Sequence, residues 1–156
     1  MFKQRKTIRI LIILTIALIW AQSILPPDIS ADESGFVLEK IVKPFLRFMT
    51  GREAEISEHL VRKIAHFTEF MLLGLLVSLY RIPSFTSSSK AHGLRATACF
   101  FGTSALFCLF IAFIDESIQM FTGRGPAILD VWIDTAGAAA GIGIELMIDD
   151  VKRRMK

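Results

Sequence analysis

The stretch ILDVWIDTAGAAAGIGIELMI, residues 128–148, decides how the rest of the chain is read. It is long enough to cover a ~30 Å hydrocarbon core at about 1.5 Å of helical rise per residue. It is rich in glycine and alanine and contains Gly137-x-x-x-Gly141. Small side chains let helix backbones approach closely in lipid, where no hydrophobic force draws helices together. Asp130, Asp134, Gly137 and Gly141 follow one another at helical spacing and so share one face. The polar stripe and the close-packing stripe therefore coincide. An ionised group in hydrocarbon costs a few kcal/mol or more, so carboxylates on a packing face belong in a bundle interior. The glycine pattern predicts tight packing of a buried central helix, and on its own it does not argue for dimerisation.

Three further apolar runs have spanning length: Ile8 to Leu25, Val61 to Tyr80, and Thr97 to Gln119. The chain has 156 residues, 53% of them hydrophobic. A soluble domain of this size would show amphipathic periodicity instead of long apolar runs. The expected fold is all-α: an integral-membrane four-helix bundle, one domain over residues 1–156, with no separate soluble part. The net charge of +3 does not point to nucleic acid, because the basic residues flank apolar spans and form no continuous stripe. They bear on topology instead. Lys3, Arg5, Lys6, Arg9, Arg81, Lys90, Arg95, Lys152, Arg153, Arg154 and Lys156 fall on the side of the termini, against Lys40, Lys43, Arg47, Arg52, Arg62, Lys63 and Arg124 on the other, 11 of the 18 basic residues against 7. Their excess over the opposite side favours both termini in the cytoplasm.

The first span has two readings. Basic residues before an apolar stretch and Ala21-Gln22-Ser23 resemble a cleavable signal peptide. The apolar stretch runs on to Leu25, long for such a segment, which favours an uncleaved signal anchor. Pro26-Pro27-Asp28 ends this helix, and residues 28–35 read as a polar loop. Residues 36–49 place apolar side chains at 38, 41, 42, 45, 46 and 49, opposite Glu39, Lys40, Lys43 and Arg47. This is an amphipathic helix, lying on the outer leaflet or capping the bundle, which Pro44 kinks or ends early. Ser57 is placed to cap the helix of the second span. Residues 81–95, with Pro83 and Ser87-Ser88-Ser89, read as a cytoplasmic loop, and Thr122 to Pro126 as a tight outer turn. The phenylalanines of the third span read as lipid-facing or packing residues. Cys99 and Cys108 fall on opposite sides of one helix and form no disulfide framework.

The remaining polar residues gather at one end. Arg62, Lys63, His66 and Glu69 open the second span; Asp115, Glu116 and Gln119 close the third; Arg124, Asp130 and Asp134 lie between the third and fourth. If the spans alternate in direction, all of them meet at the outer face. Arg62, His66 and Glu69 share a helical face, whereas Lys63 is expected to point elsewhere. The inner halves of the spans read as dry. The cluster fits a structural ion-pair network, an acid–base site, a divalent cation held by His66 and carboxylates, or a recess for an anionic head group. The His66-x-x-Glu69 spacing alone is weak as a metal signal, so no metal and no cofactor is assigned.

At these residues the chain resembles the VanZ-like family of small bacterial membrane proteins. Arg62-Lys63-Ile64-Ala65-His66-Phe67-Thr68-Glu69-Phe70 is similar to that family's R-K-x-x-H-x-x-E-[YF] segment. Asp115-Glu116-x-x-Gln119, Arg124, and Asp130-Val131 leading into Gly137 and Gly141 follow in the same order. The resemblance covers roughly residues 60–145. Asp134 departs from it: the family has asparagine near this position, and an aspartate adds a charge.

The family is named for a protein associated with resistance to the glycopeptide teicoplanin, which implies a role in the cell envelope. The leading expectation is a polar recess at the outer leaflet that binds an anionic envelope lipid or the head group of a glycopeptide-class antibiotic. Arg62, Lys63 and Arg124 would contact the anion. His66, Glu69, Asp115, Glu116, Gln119, Asp130 and Asp134 would orient it. Catalysis is left open; His66, Glu69, Asp115 and Glu116 are the candidates if an outer-leaflet lipid is modified. A structural or partner-binding membrane protein also fits, and the small-residue face of the last span would suit it. Coupled transport ranks last. The topology predicts that green fluorescent protein fused after Lys156 fluoresces, whereas alkaline phosphatase fused there is inactive. The opposite pattern would invert the orientation.

Overall fold

The computed structural model describes residues 2–26, 29, 32, 35–50, 57–86, 94–123 and 127–155. Among these, all regular structure is helical. Helix α1 spans Phe2–Ile24, α2 Lys43–Thr50, α3 Glu58–Thr86, α4 Leu94–Phe121 and α5 Ile128–Arg154. Three segments are long and apolar enough to cross a membrane: Gln4–Ile24, Arg95–Phe121 and Ile128–Arg154. Helix α3 is 29 residues long, but Glu58, Arg62, Lys63 and Glu69 make its first turns polar.

Each long helix overruns the boundary read from hydropathy, because charged residues continue a helix even where they end an apolar run. Helix α5 runs on to Arg154 through the i,i+4 pairs Asp149–Arg153 at 2.6 Å and Asp150–Arg154 at 2.8 Å. Helix α3 passes through Pro83 to Thr86, so the loop expected over 81–95 is shorter. Pro83 has no N–H to give the Leu79 carbonyl, so the last turn of α3 carries one backbone bond fewer. Residues 87–93 lie outside the described residues. At its other end α3 is capped as expected: Ser57 Oγ accepts from Leu60 N at 3.3 Å. The turn after α4 places Gly123 at φ 78°, a left-handed conformation that suits glycine.

The segment before α3 differs from expectation in detail. Ile29, Asp32 and residues 35–37 are helical within or beside the stretch read as loop. A π-helical turn, Leu38–Val42, then leads into α2. Pro44 therefore ends nothing. It lies inside a continuous helical run, and the wider π-helical turn before it accommodates the ring and the missing donor. Leu38 is buried, whereas Ile41, Phe45 and Phe48 are exposed.

The bundle is organised around the contact between α3 and α5, by far its most extensive helix pair. A Cβ on Gly141 would stand 2.0 Å from the Met71 carbonyl oxygen, and one on Gly137 2.3 Å from that of Phe67. A Cβ on Gly74 would meet the Ala138 carbonyl oxygen at 2.2 Å. The two backbones thus touch directly at three glycines. The last span is not central, however. Helix α5 packs along α3 and α4, and it leaves Leu129, Trp132 and Met147 exposed. Its small residues draw one neighbour very close on one face instead of collecting neighbours all round. Helix α3 contacts α1, α4 and α5.

Ile19 of α1, Phe70, Leu73 and Val77 of α3, Cys108, Ile111 and Ala112 of α4, and Ala138 of α5 form the core. Cys99 is exposed and Cys108 buried, on opposite sides of α4. Phe107, Phe110 and Phe113 face outward. The helix ends opposite the polar cluster, expected to be dry, also carry polar contacts. Arg81 donates to Ser104 Oγ and, at 2.8 Å, to Thr103 Oγ1, and it stacks on Phe100. Arg9 donates to the Tyr80 hydroxyl at 2.8 Å, and Glu145 is buried on α5.

The glycine contacts predict a contrast on one helix. Gly141→Ala forces a methyl into the Met71 carbonyl and should cost about 1–3 kcal/mol. Gly143→Ala meets nothing within 4 Å and should not lower stability, since alanine is the better helix former. Thermal unfolding of the purified variants, followed by the loss of the monodisperse peak, checks both.

Candidate functional site

Four helix ends meet at one end of the bundle: the last turn of α1, the first turns of α3, the last turns of α4 and the first turns of α5. Helix α5 reaches this point because Glu116 near the end of α4 accepts a hydrogen bond from the Ala127 backbone N–H. A carboxylate at a helix N-terminus satisfies an orphan donor and complements the helix dipole. Helix α1 is joined to α4 by Thr122, whose hydroxyl donates to the Ser23 carbonyl at 3.1 Å.

Between these ends lies a cavity of about 310 Å³, lined by His59, Arg62, Lys63, His66, Gln119, Ala127, Asp130, Ile133 and Asp134. Lys63 does not point elsewhere, as its helical position implies. Its side chain reaches α5 and pairs with Asp130 at 2.8 Å. The reason is that the Lys63–His66–Phe67–Phe70 ridge is the face α3 turns to its neighbours, and a long lysine stem carries its charge to the cavity wall. Arg62 also lines the cavity, and its Nε is buried with no hydrogen-bond partner among the described residues.

The carboxylates divide by depth and by partner. Asp115 is fully buried. Ser23 Oγ donates to its Oδ1 at 2.6 Å and Gln119 Nε2 to its Oδ2 at 3.0 Å. His66 Nδ1 stands 3.9 Å from Asp115 Oδ2. Asp134 is 2% exposed, and its Oδ1 has no hydrogen-bond partner among the described residues. One donor atom from each of His66, Asp115 and Asp134 lies within 4.8 Å of the other two. Glu69 turns from the cavity toward α1, where Gln22 Nε2 donates to its Oε1 at 2.8 Å. Glu116 gives Oε1 to Ala127 N, its Oε2 has no hydrogen-bond partner among the described residues, and it does not line the cavity. Arg124 lies outside the described residues.

Of the residues singled out in the sequence, Arg62, Lys63, His66, Gln119, Asp130 and Asp134 line one cavity, and Asp115 adjoins it. Three others at this end escape sequence reasoning. Gln22 and Ser23 read as the tail of a signal-like segment, yet two polar residues in the last turn of an apolar span are themselves a signal that partners are needed. His59 precedes the apolar run and gives no sign of its place in the wall.

The described residues thus define a small, all-helical membrane protein with a polar cavity at one end of the bundle. The family model described as VanZ/LLP1 matches residues 8–149, and the chain belongs to that family. No curated protein and no solved structure matches the chain.

The hydrogen bond from Ser23 predicts a stability effect transmitted from α1 to the site. Ser23→Ala leaves a buried carboxylate with one donor fewer and should destabilise by about 1–3 kcal/mol. Ser117, which only returns a bond to its own helix at Phe113 O, should tolerate alanine. Denaturation midpoints of the two variants in one detergent compare them directly.

Proposed function

We propose that the chain is a four-span, multi-pass protein of the bacterial inner membrane, with α3 as the fourth span and both termini cytoplasmic. Its cavity opens at the outer leaflet and receives an anionic head group, from an envelope lipid or from a glycopeptide-class antibiotic such as teicoplanin. The observation that carries this reading is the unused donor of Arg62 in the wall of a cavity of head-group size. A guanidinium offers a planar fork of donors that suits phosphate or carboxylate oxygens, and a buried donor without an acceptor is costly. Lys63 adds a second cation, held by Asp130 until a stronger anion competes for it. The bonds from Gln22 and Ser23 to Glu69 and Asp115 favour α1 remaining as an uncleaved anchor. Ile41, Phe45 and Phe48 are exposed on the π-helical turn and α2, which favours that segment lying on the outer leaflet.

A structural role for the small-residue face of α5 has less support as a docking surface, because α3 already occupies it at Gly137 and Gly141. Acid–base chemistry on an outer-leaflet lipid draws on the His66–Asp115 pair.

The protein purified with its lipids should retain an anionic phospholipid by native mass spectrometry. Arg62→Gln should reduce that retention roughly tenfold, equivalent to about 1.4 kcal/mol of lost charge-assisted hydrogen bonding. Equal retention by wild type and Arg62→Gln would reject the reading. Lipid extracts of cells with and without the protein separate binding from turnover: an altered head-group profile would mark an enzyme.

A further inference from the structure

Every buried ionisable side chain among the described residues is an acid: Asp115, Glu116, Asp134 and Glu145, together with the core thiol of Cys108. The lysines and arginines at the cavity stay partly exposed. Glu116 has its own backbone partner. That leaves Asp115 and Asp134 beside His66, at the deep side of the cavity, with their donor atoms converging.

We propose that His66, Asp115 and Asp134 form a site for one divalent transition cation of the Zn²⁺ or Mn²⁺ class. Three features of the geometry carry this. First, the donor atoms come from three different helices, and all lie within 4.8 Å of one another. A cation among them reaches ligand distances of about 2.0–2.2 Å after small rotations of the side chains. Second, Asp134 is 2% exposed and lines the cavity, and its Oδ1 meets no donor among the described residues. A buried carboxylate oxygen without a partner is a ligand atom in want of a cation. Third, Asp115 is held from behind by two neutral donors, Ser23 and Gln119. Each carboxylate oxygen has two lone pairs, so these bonds orient the carboxylate and still let it coordinate.

The donor set sorts the metals. One imidazole and two carboxylates suit Zn²⁺ or Mn²⁺ better than Cu(I), which needs sulfur ligands. Cys108 is not among the converging donors. With only three protein donors, the remaining positions are left to water or to an incoming oxygen ligand. The site would stand whether or not an anionic head group occupies the cavity mouth, because it uses neither Arg62 nor Lys63.

The full-length protein, purified in detergent and stripped with EDTA, is titrated with Mn²⁺ while free Mn²⁺ is followed by electron paramagnetic resonance. Zn²⁺ is then tested by competition against a chromophoric chelator. The expected result is one equivalent bound per chain, with affinity at least tenfold weaker in Asp134→Asn. Asp149→Asn, at the far end of α5, should bind as the wild type does. If Asp134→Asn does not fold, the wild type alone decides: electron spin-echo modulation of bound Mn²⁺ should show a directly coordinated imidazole nitrogen. Folded wild type without stoichiometric binding would overturn the site, as would unchanged affinity in Asp134→Asn or bound Mn²⁺ without nitrogen coupling. Anionic-lipid retention in Arg62→Gln is a separate measurement, so failure of the metal site and failure of head-group binding are told apart.

Discussion

The direct backbone contact of α3 with α5 is the constraint on which the rest depends. At Gly74, Gly137 and Gly141 there is no space for even one methyl group. In lipid this packing substitutes for the hydrophobic drive that soluble helices enjoy. One turn before Gly137 the same face of α5 carries Asp134, and one turn further Asp130. Because the backbones are locked at the glycines, these carboxylates are delivered to fixed positions opposite His66 and Lys63. The polar end of the bundle is thus an extension of its tightest seam. A change that loosened the seam would shift every distance in the cavity.

The polar groups are paired unevenly. Some bonds are structural: Glu116 to Ala127 N sets the start of α5, and Gln22 to Glu69 ties α1 to α3. Others leave capacity unused. Arg62 Nε lacks an acceptor and Asp134 Oδ1 lacks a donor among the described residues, and both belong to the cavity wall. Opposite unsatisfied groups thus stand at one site, one seeking an anion and one a cation. At the opposite end of the bundle Arg81 donates to Ser104 and Thr103 and stacks on Phe100.

Periodicity makes the faces legible. Asp130, Asp134, Gly137 and Gly141 have to lie together, and they do, because a helix allows nothing else. Cross-helix partners are not legible in the same way. Helical angle alone misplaces the Lys63 charge, because it ignores the reach of a four-carbon stem. Ser23 and Gln22 are masked by their likeness to a cleavage site. Helix ends are misplaced wherever charge is taken as a terminator, as at Arg81 and Ile148. Glu145 sits in plain sight within the last span, but a single acid far along α5 is outweighed by the cluster at its start.

The bond between Ser23 and Asp115 joins residues 92 positions apart, and this has a bearing on biogenesis. A chain emerges from the ribosome with its N-terminal part first. Gln22 and Ser23 therefore reach the membrane long before Glu69, Asp115 and Thr122 exist to meet them. Until α4 arrives, α1 must hold two polar side chains at the end of its apolar run, where an aqueous boundary can keep them solvated. The position of these residues in the last turn, and not in mid-span, is what lets the first helix wait for its partners.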